Sequence, residues 1–467
     1  MTCRLGAVLF LAGAAYAVAL PGPFQFDDFA MVASDPGART VGAWWADAGS
    51  HVRPLTKLTF ALSHSLGTAM GHVPAGHRIV NVAIHLLAIA TFFVLGRQLA
   101  GTLDPSLGRH QANGAALAAA AFFGLHPLAT EAVSYLSGRS MALATLLAAA
   151  SLLAYIRWRV HGRPGMLFAA LAAFGAAALA REVAVVTPLA WLAWELLRPP
   201  AGIPEPPSPA RAAIAGAFLL ATAFALGLLA HPRYAELLKV SLGIASAHPG
   251  APSLTLAFHY FFTSMALLRY PNIDPSLPFS SVESGWRLLV TAVLCGGAWT
   301  AWRVRHDAPS TTFGIAWIAI WLVPVYALPI RLDTLAERHF YPAIWGFTFA
   351  VCITLARFPG GSLLHRAGSK AIGLAILFTL AAVTMARNTN YLSEIALWES
   401  ALRSTPGNVR ALNNLGVAYM DAGRWNDARR VLAEAQARDP GEANVLDNLL
   451  AAEQRERGAA VWLRGSR

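Results

Sequence analysis

Apolar runs of about 17 residues or more recur along the chain, divided by short stretches rich in Arg, Gly and Pro. The pattern predicts helices at 4–20, 79–99, 114–130, 140–157, 166–180, 183–197, 212–230, 286–302, 313–329, 339–357 and 370–386. The apolar stretch 166–197 is too long for one membrane crossing at about 1.5 Å rise per residue. It is expected to turn at Arg181-Glu182, a charged pair ill suited to lipid. The stretch 256–270 is short, and "RYPNIDPSLP" breaks it at once, so it reads as re-entrant or interfacial. The first twenty residues also fit a signal peptide, with Arg4 ahead and small residues near Ala17.

Composition agrees with that pattern. Hydrophobic residues make up 56% of 467 and charged residues 13%, where soluble chains carry about a quarter charged. This is the composition of an all-α polytopic membrane protein. The formal net charge of +11 sits in short loops and forms no stripe for nucleic acid. The loops "GRQLAGTLDPSLGRH", "RWRVHGR", "RPPAGIPEPPSPAR", "WRVRH" and "RFPGGSLLHRAGSK" are all basic. Cytoplasmic loops collect Lys and Arg. Alternating crossings from a cytoplasmic N-terminus put all five inside, provided 256–270 does not cross fully. That predicts about eleven spans, basic loops that can face anionic membrane lipid, and a C-terminal tail outside. Cys3, Cys295 and Cys352 suggest neither a disulfide framework nor a metal site.

The outer face then holds residues 21–78, 131–139, the turn at 181–182, 231–285, 331–338 and everything after 387. The first loop contains "GAWWADAG" and "RPLTKLTFALSHSLG", expected as short amphipathic helices in the interface. The same face gathers most of the polar groups. Asp27 and Asp28 follow the first helix, and Arg53 lies in "HVRPL". Asn81 and His85 share a face of the second helix. His126, Glu131 and Arg139 flank the third connection, Arg181 and Glu182 form the turn, and Arg338 and His339 lie in "DTLAERHFYPA". Arg holds phosphate bidentately, and a carboxylate can take a proton from an acceptor hydroxyl. An enzyme using a phospholipid-linked donor needs both at the bilayer edge. Each residue also has a plainer reading. The aspartates can be solvated, His85 can be a helix contact, Glu131 a cap, and Arg139 and Arg338 interfacial anchors. A divalent ion bridging Asp27 or Asp28 to phosphate is compatible with the sequence, though no spacing demands one.

After Arg387 the pattern changes to that of a soluble helical repeat. In a 34-residue frame over 409–442, Leu412, Leu415, Gly416, Tyr419, Ala428, Leu432, Ala435 and Pro440 fall at tetratricopeptide signature places. "LWESALRSTP" supplies half a frame upstream and "ANVLDNLLAAEQ" one more helix downstream. So short an array is expected to dock on the membrane domain or on a partner protein. Domains are therefore expected at 1–387 and 388–467.

In order along the chain, "FDDF" with a following "DP", "RPL", "HRIVNVAIH", "HPLATEAVSYLSGR", "REVAVVT" and "ERHFYPA" resemble the transmembrane and tetratricopeptide-repeat-containing glycosyltransferases, a protein O-mannosyltransferase-like branch of the GT-C superfamily. The resemblance implies a GT-C-type membrane bundle with an outward-facing site. It implies a donor sugar on a polyprenyl phosphate, transferred with inversion to a protein or glycan acceptor. By the same resemblance Asp27 or Asp28 would be the base, with Asp28 preferred, and Glu131 would match the second acidic motif. Arg139, Arg181 and Arg338 would hold the lipid phosphate, with Arg53, Asn81, His85, His126, Glu182 and His339 supporting the cavity. The Ala-, Gly- and Pro-rich composition suits a bacterium, its inner membrane and an undecaprenyl-like carrier. Fewer repeats than the eukaryotic branch leave the protein acceptor and mannose open. A glycan or lipid acceptor, a non-catalytic scaffold and a transporter are the other readings. The transporter is disfavoured because the charges gather at one face.

Overall fold

The computed structural model describes residues 2–199, 208–247, 254–275, 284–327, 335–357 and 367–465. Among them the regular structure is helical throughout. Parts of two basic loops, 200–207 and 358–366, lie outside the described residues, as do 248–253, 276–283 and 331–334 of the expected outer loops and the last two residues of the helix expected at 313–329.

The first helix, α1 (Thr2–Ala17), leads into a loop that carries α2 (Val41–Ala46) and α3 (Pro54–Ala69). Next come α4 (Val73–Leu103), α5 (Arg109–Leu125), the short α6 (Thr130–Val133), α7 (Arg139–His161), α8 (Pro164–Ala180) and α9 (Thr187–Leu197). The chain continues through α10 (Ser208–Ala230), α11 (Pro232–Ala247), α12 (Leu254–Met265), α13 (Ser284–Arg303), α14 (Pro309–Ala327), α15 (Tyr341–Arg357) and α16 (Ala367–Asn388). Four helices close it, α17 (Glu394–Ser404), α18 (Val409–Asp421), α19 (Trp425–Arg438) and α20 (Ala443–Gly465).

Each of the eleven apolar runs forms a helix. Among the described residues, six helical stretches are long and apolar enough to cross a membrane, or seven if the bent pair formed by α5 and Pro127–Val133 is one span. The expected count of eleven exceeds this because α1, α8, α9 and the apolar part of α13 are short for a full crossing. Lipid contact explains the apolar outer surface. The hydrophobic window of Pro209–Ala230 is only 6% buried within the protein, and Phe10, Phe168, Leu219 and Phe378 stand exposed. A soluble chain would hide such a surface.

The core lies where α4, α5, α7, α14 and α15 meet, with α1 and α16 against α5. Phe92, Trp345 and Phe349 stack there, and Trp317 meets Phe92 and Trp345 edge-on. α4 starts earlier than its apolar run predicts. His72 accepts from Ala75 N at the helix start, and 31 residues extend about 46 Å. Its first turns therefore project beyond a hydrocarbon core of about 30 Å. α12 has twelve residues, and half of them are buried. α11, a further helix in the stretch read as external, was not anticipated.

Two ends differ in chemistry. At the C-terminal end of α4, Asp104 takes the guanidinium of Arg357 and the Ser310 amide, while Glu195 takes Arg159 and Arg198. These contacts tie the basic loops together. At the N-terminal end of α4 lie the residues of the candidate site.

The repeat forms as its period predicts. Leu412, Leu415, Gly416, Tyr419, Ala428, Leu432 and Ala435 are buried between α18 and α19. α17 and α20 add half a unit on either side. A single turn, Thr389–Leu392, separates α16 from α17.

Candidate active site

Local rules bring the landmark residues together. Pro127 has no N–H to continue the α5 ladder, so the helix breaks and bends by 58°. His126 caps the new turn, its Nδ1 accepting from Leu128 N at 3.2 Å while Nε2 faces Met265 O at 3.3 Å. The bend aims the buried Glu131 at Arg338, which donates from its amide (2.9 Å) and its guanidinium (2.5 Å). The turn Leu136–Gly138 then folds back on α6. A Cβ at Gly138 would lie 2.2 Å from Glu131 O, so this close approach requires glycine.

The two aspartates have different surroundings. Asp28 is fully buried. One carboxylate oxygen accepts from Ser137 N (2.9 Å) and Ser137 Oγ (2.8 Å), and the other from Gln25 N (3.3 Å). Burial pushes its carboxyl up to about 7, against the opposing pull of the Ser137 hydrogen bonds and of Arg78. Asp27 is half-buried, and its amide donates to the Tyr135 hydroxyl at 3.1 Å. Tyr135 lies within electrostatic reach of Asp27, Asp28 and Arg338. A shallow crevice runs between Phe26, Tyr135, Arg338, Trp398 and Arg410.

A second cluster lies around Glu182. Arg53 grips it bidentately at 2.8 and 2.6 Å. Burial alone would raise the Glu182 carboxyl, but the Arg53 and Arg181 charges outweigh it and hold the group at about 2. Arg181 donates to Ser140 Oγ (2.7 Å) and lies 2.9 Å from His339 Nε2. Its guanidinium is pulled down to about 9, first by burial and then by the Arg53 and Arg338 charges. Arg53, Arg181 and Arg338 thus crowd one region, and such like-charge crowding suits an anion. Tyr234 of α11 lies close enough to feel Glu182, Arg53 and Arg181.

Other expected residues serve the framework. Arg139 is fully buried over the Phe60 ring. Its donors go to Asn81 Oδ1 (2.5 Å), Ser63 Oγ (2.9 Å), Thr59 Oγ1 (3.3 Å) and His77 O (2.7 Å). With these partners it is a clamp between α3, α4 and α7, with little left for a lipid phosphate. Asn81 also donates to Val133 O at 2.9 Å. His85 sits between the Tyr341 hydroxyl (2.8 Å) and Gly124 O (3.0 Å), deep among the helices. Arg78 and Ser137 were not anticipated. Arg78 donates to Gly22 O, Pro23 O and Ser134 O, which fixes the loop ahead of Asp27. An Arg at the head of an apolar helix was the one available signal. Among the described residues no three His, Cys, Asp or Glu side chains gather as a metal site would require.

A tetratricopeptide-repeat family profile matches residues 395–453. Protein O-mannosyl-transferase F38B6.6 of Caenorhabditis elegans is 22% identical over 451 residues, 91% of this chain and 61% of that protein. Protein O-mannosyl-transferase Tmtc2 of Drosophila melanogaster is 34% identical over 160 residues, 32% of this chain and 16% of that one. Protein O-mannosyl-transferase TMTC4 of Homo sapiens is 33% identical over 162 residues, 30% of this chain and 21% of that one. Over these lengths the chain is similar to proteins named protein O-mannosyl-transferases. The chain spans less than two thirds of the length of each of these O-mannosyl-transferases.

Proposed function

We propose that this chain is an integral membrane glycosyltransferase that moves a sugar from a polyprenyl-phosphate donor to a protein Ser or Thr hydroxyl. The printed names of its relatives favour mannose and a protein acceptor. If the short apolar helices α1, α8, α9 and α13 also cross, the basic loops favour eleven crossings with a cytoplasmic N-terminus. The site and the repeat then face outward, from a bacterial inner membrane.

One observation carries the reading. The loop bearing Asp27 and the turn bearing Arg338 line a single crevice, joined by Tyr135. Phe26, the residue before Asp27, and the cation of Arg338 therefore border one opening at one end of the bundle. A carboxyl that titrates near neutrality, as Asp28 does, suits a general base. Asp28 nonetheless has no exposed surface, and both its oxygens accept from the chain. These contacts favour Asp27 over Asp28 as the base in this reading, with Asp28 as the anchor of its loop. Arg338, backed by Arg53 and Arg181, takes the phosphate. Glu131 orients Arg338 and leaves the proton to Asp27.

In this mechanism Asp27 accepts the hydroxyl proton as the acceptor oxygen attacks the anomeric carbon. The bond from that carbon to the phosphate oxygen breaks on the opposite face. The polyprenyl phosphate leaves with its charge beside arginine, and the anomeric configuration inverts. The test uses purified chain, a polyprenyl-phosphate mannose and a Ser/Thr peptide. Asp27→Asn is expected to lower kcat by about 100-fold or more, with donor KM unchanged. Full transfer by Asp27→Asn would overturn the assignment.

A further inference from the structure

The loop ahead of Asp27 is held from two sides. The membrane domain holds it through Ser137 and Tyr135. The repeat holds it through its first helix and the turn below. Phe26 N donates to Glu394 Oε1 at 2.9 Å, and the Phe26 ring meets Trp398 edge-on at 5.2 Å. Gln25 Nε2 donates to Tyr391 O at 2.8 Å. A Cβ at Gly22 would stand 2.0 Å from that same Tyr391 oxygen, so backbone lies against backbone here.

Phe26 also has φ of +50°. Left-handed backbone is unfavourable for an aromatic L-residue and persists only where its surroundings impose it. Here the residue immediately before Asp27 is in that state. Its amide and its ring are both held by α17, and the Ser393 cap fixes the first turn of that helix.

We infer that Glu394 and Trp398 are positioning residues for transfer, by which the repeat imposes on Phe26 the backbone that presents Asp27. This rests on the proposed role of Asp27. The repeat then forms one wall of the site, and its contribution does not depend on which acceptor it meets.

The test compares Glu394→Ala and Trp398→Ala with Glu394→Gln and Trp398→Phe in the full chain. Gln keeps the acceptor for Phe26 N, and Phe keeps an aromatic edge. The alanine variants are expected to lose about tenfold to a hundredfold in kcat, with donor KM unchanged. Amide exchange across 22–30 should rise in them, while the conservative variants stay near wild type. Wild-type kcat in the alanine variants would overturn the inference. So would equal losses in the conservative pair, or unchanged exchange across the loop. If the wild-type chain transferred no sugar, the catalytic reading of Asp27 would fall, and the exchange comparison would still decide whether the repeat orders the loop.

Discussion

Asp28 has no exposed surface, and its carboxyl titrates at about 7 against an ordinary 3.8. The folded chain thus binds a proton that the unfolded chain has already lost. The resulting stabilisation is complete below about pH 4 and is lost as pH rises through about 7. Thermal melts of the purified protein should therefore show a midpoint that falls between about pH 5 and pH 8. Asp28→Asn should flatten that slope, because a neutral amide can still accept from Ser137. An unchanged slope would place the titration on another group. Arg139 illustrates what a residue name conceals. The sequence announces a guanidinium at an interface, but whether its donors remain available depends on Thr59, Ser63, His77 and Asn81, distant in sequence. Arg78 and Ser137 escaped notice for the same reason. Neither belongs to a periodic pattern, and each gains its role from loops that meet only in three dimensions.

Helices packed around a buried charge respond differently from helices around an open one. Arg139 joins α3, α4 and α7 with four hydrogen bonds. Its replacement by Ala strands several buried acceptors, each costing about 1–3 kcal/mol. Arg139→Ala should therefore lower the melting temperature sharply, while any folded fraction keeps its donor KM. A phosphate ligand would show the reverse, a raised KM in a protein of normal stability. Arg53 is about a third exposed, and its loss should raise donor KM, with some cost in stability because Glu182 loses its bidentate partner. Arg53→Ala should weaken donor binding, and adding salt should weaken it less in the variant than in wild type, because the charge being screened has gone. Equal donor KM in Arg53→Ala and wild type would remove Arg53 from the phosphate site. The helices themselves were legible wherever an apolar run was long. The early start of α4 was not, because its first turns are polar and are stabilised by the loops they meet. α11 was hidden because its composition is mixed and its partners lie on α10.

Over the whole molecule, the repeat and the membrane bundle are fastened at more than one place. Besides the loop contacts, Asp274 is buried and accepts from Arg410 at 2.7 and 2.5 Å and from Asn408 at 3.0 Å. Arg410 is about two-fifths exposed, so its removal costs less than the loss of a partner from a fully buried pair, but it leaves the buried Asp274 carboxylate with Asn408 alone among the described residues. Arg410→Ala should therefore loosen the repeat, seen as faster limited proteolysis near residues 389–393 with the membrane bundle intact. Unchanged cleavage would mean that the other contacts suffice. The 34-residue period announced the repeat, and its shortness announced that it must dock. The seat could not be read, since Asp274, Phe26 and Tyr135 lie in stretches whose sequences carry no pairing code.

The turn at Glu337 and Arg338 joins these scales. Arg338 reaches Glu131 at the crevice. Glu337, its immediate neighbour, faces away and takes the guanidinium of Arg387 in the last turn of α16. The same Arg387 donates to Pro127 O at 2.6 Å, at the start of the bend that delivers Glu131. α16 is the stalk on which the repeat stands. One guanidinium thus acts as a keystone, bracing the last turn of that stalk against the Arg338 turn and against the start of the bend that carries Glu131.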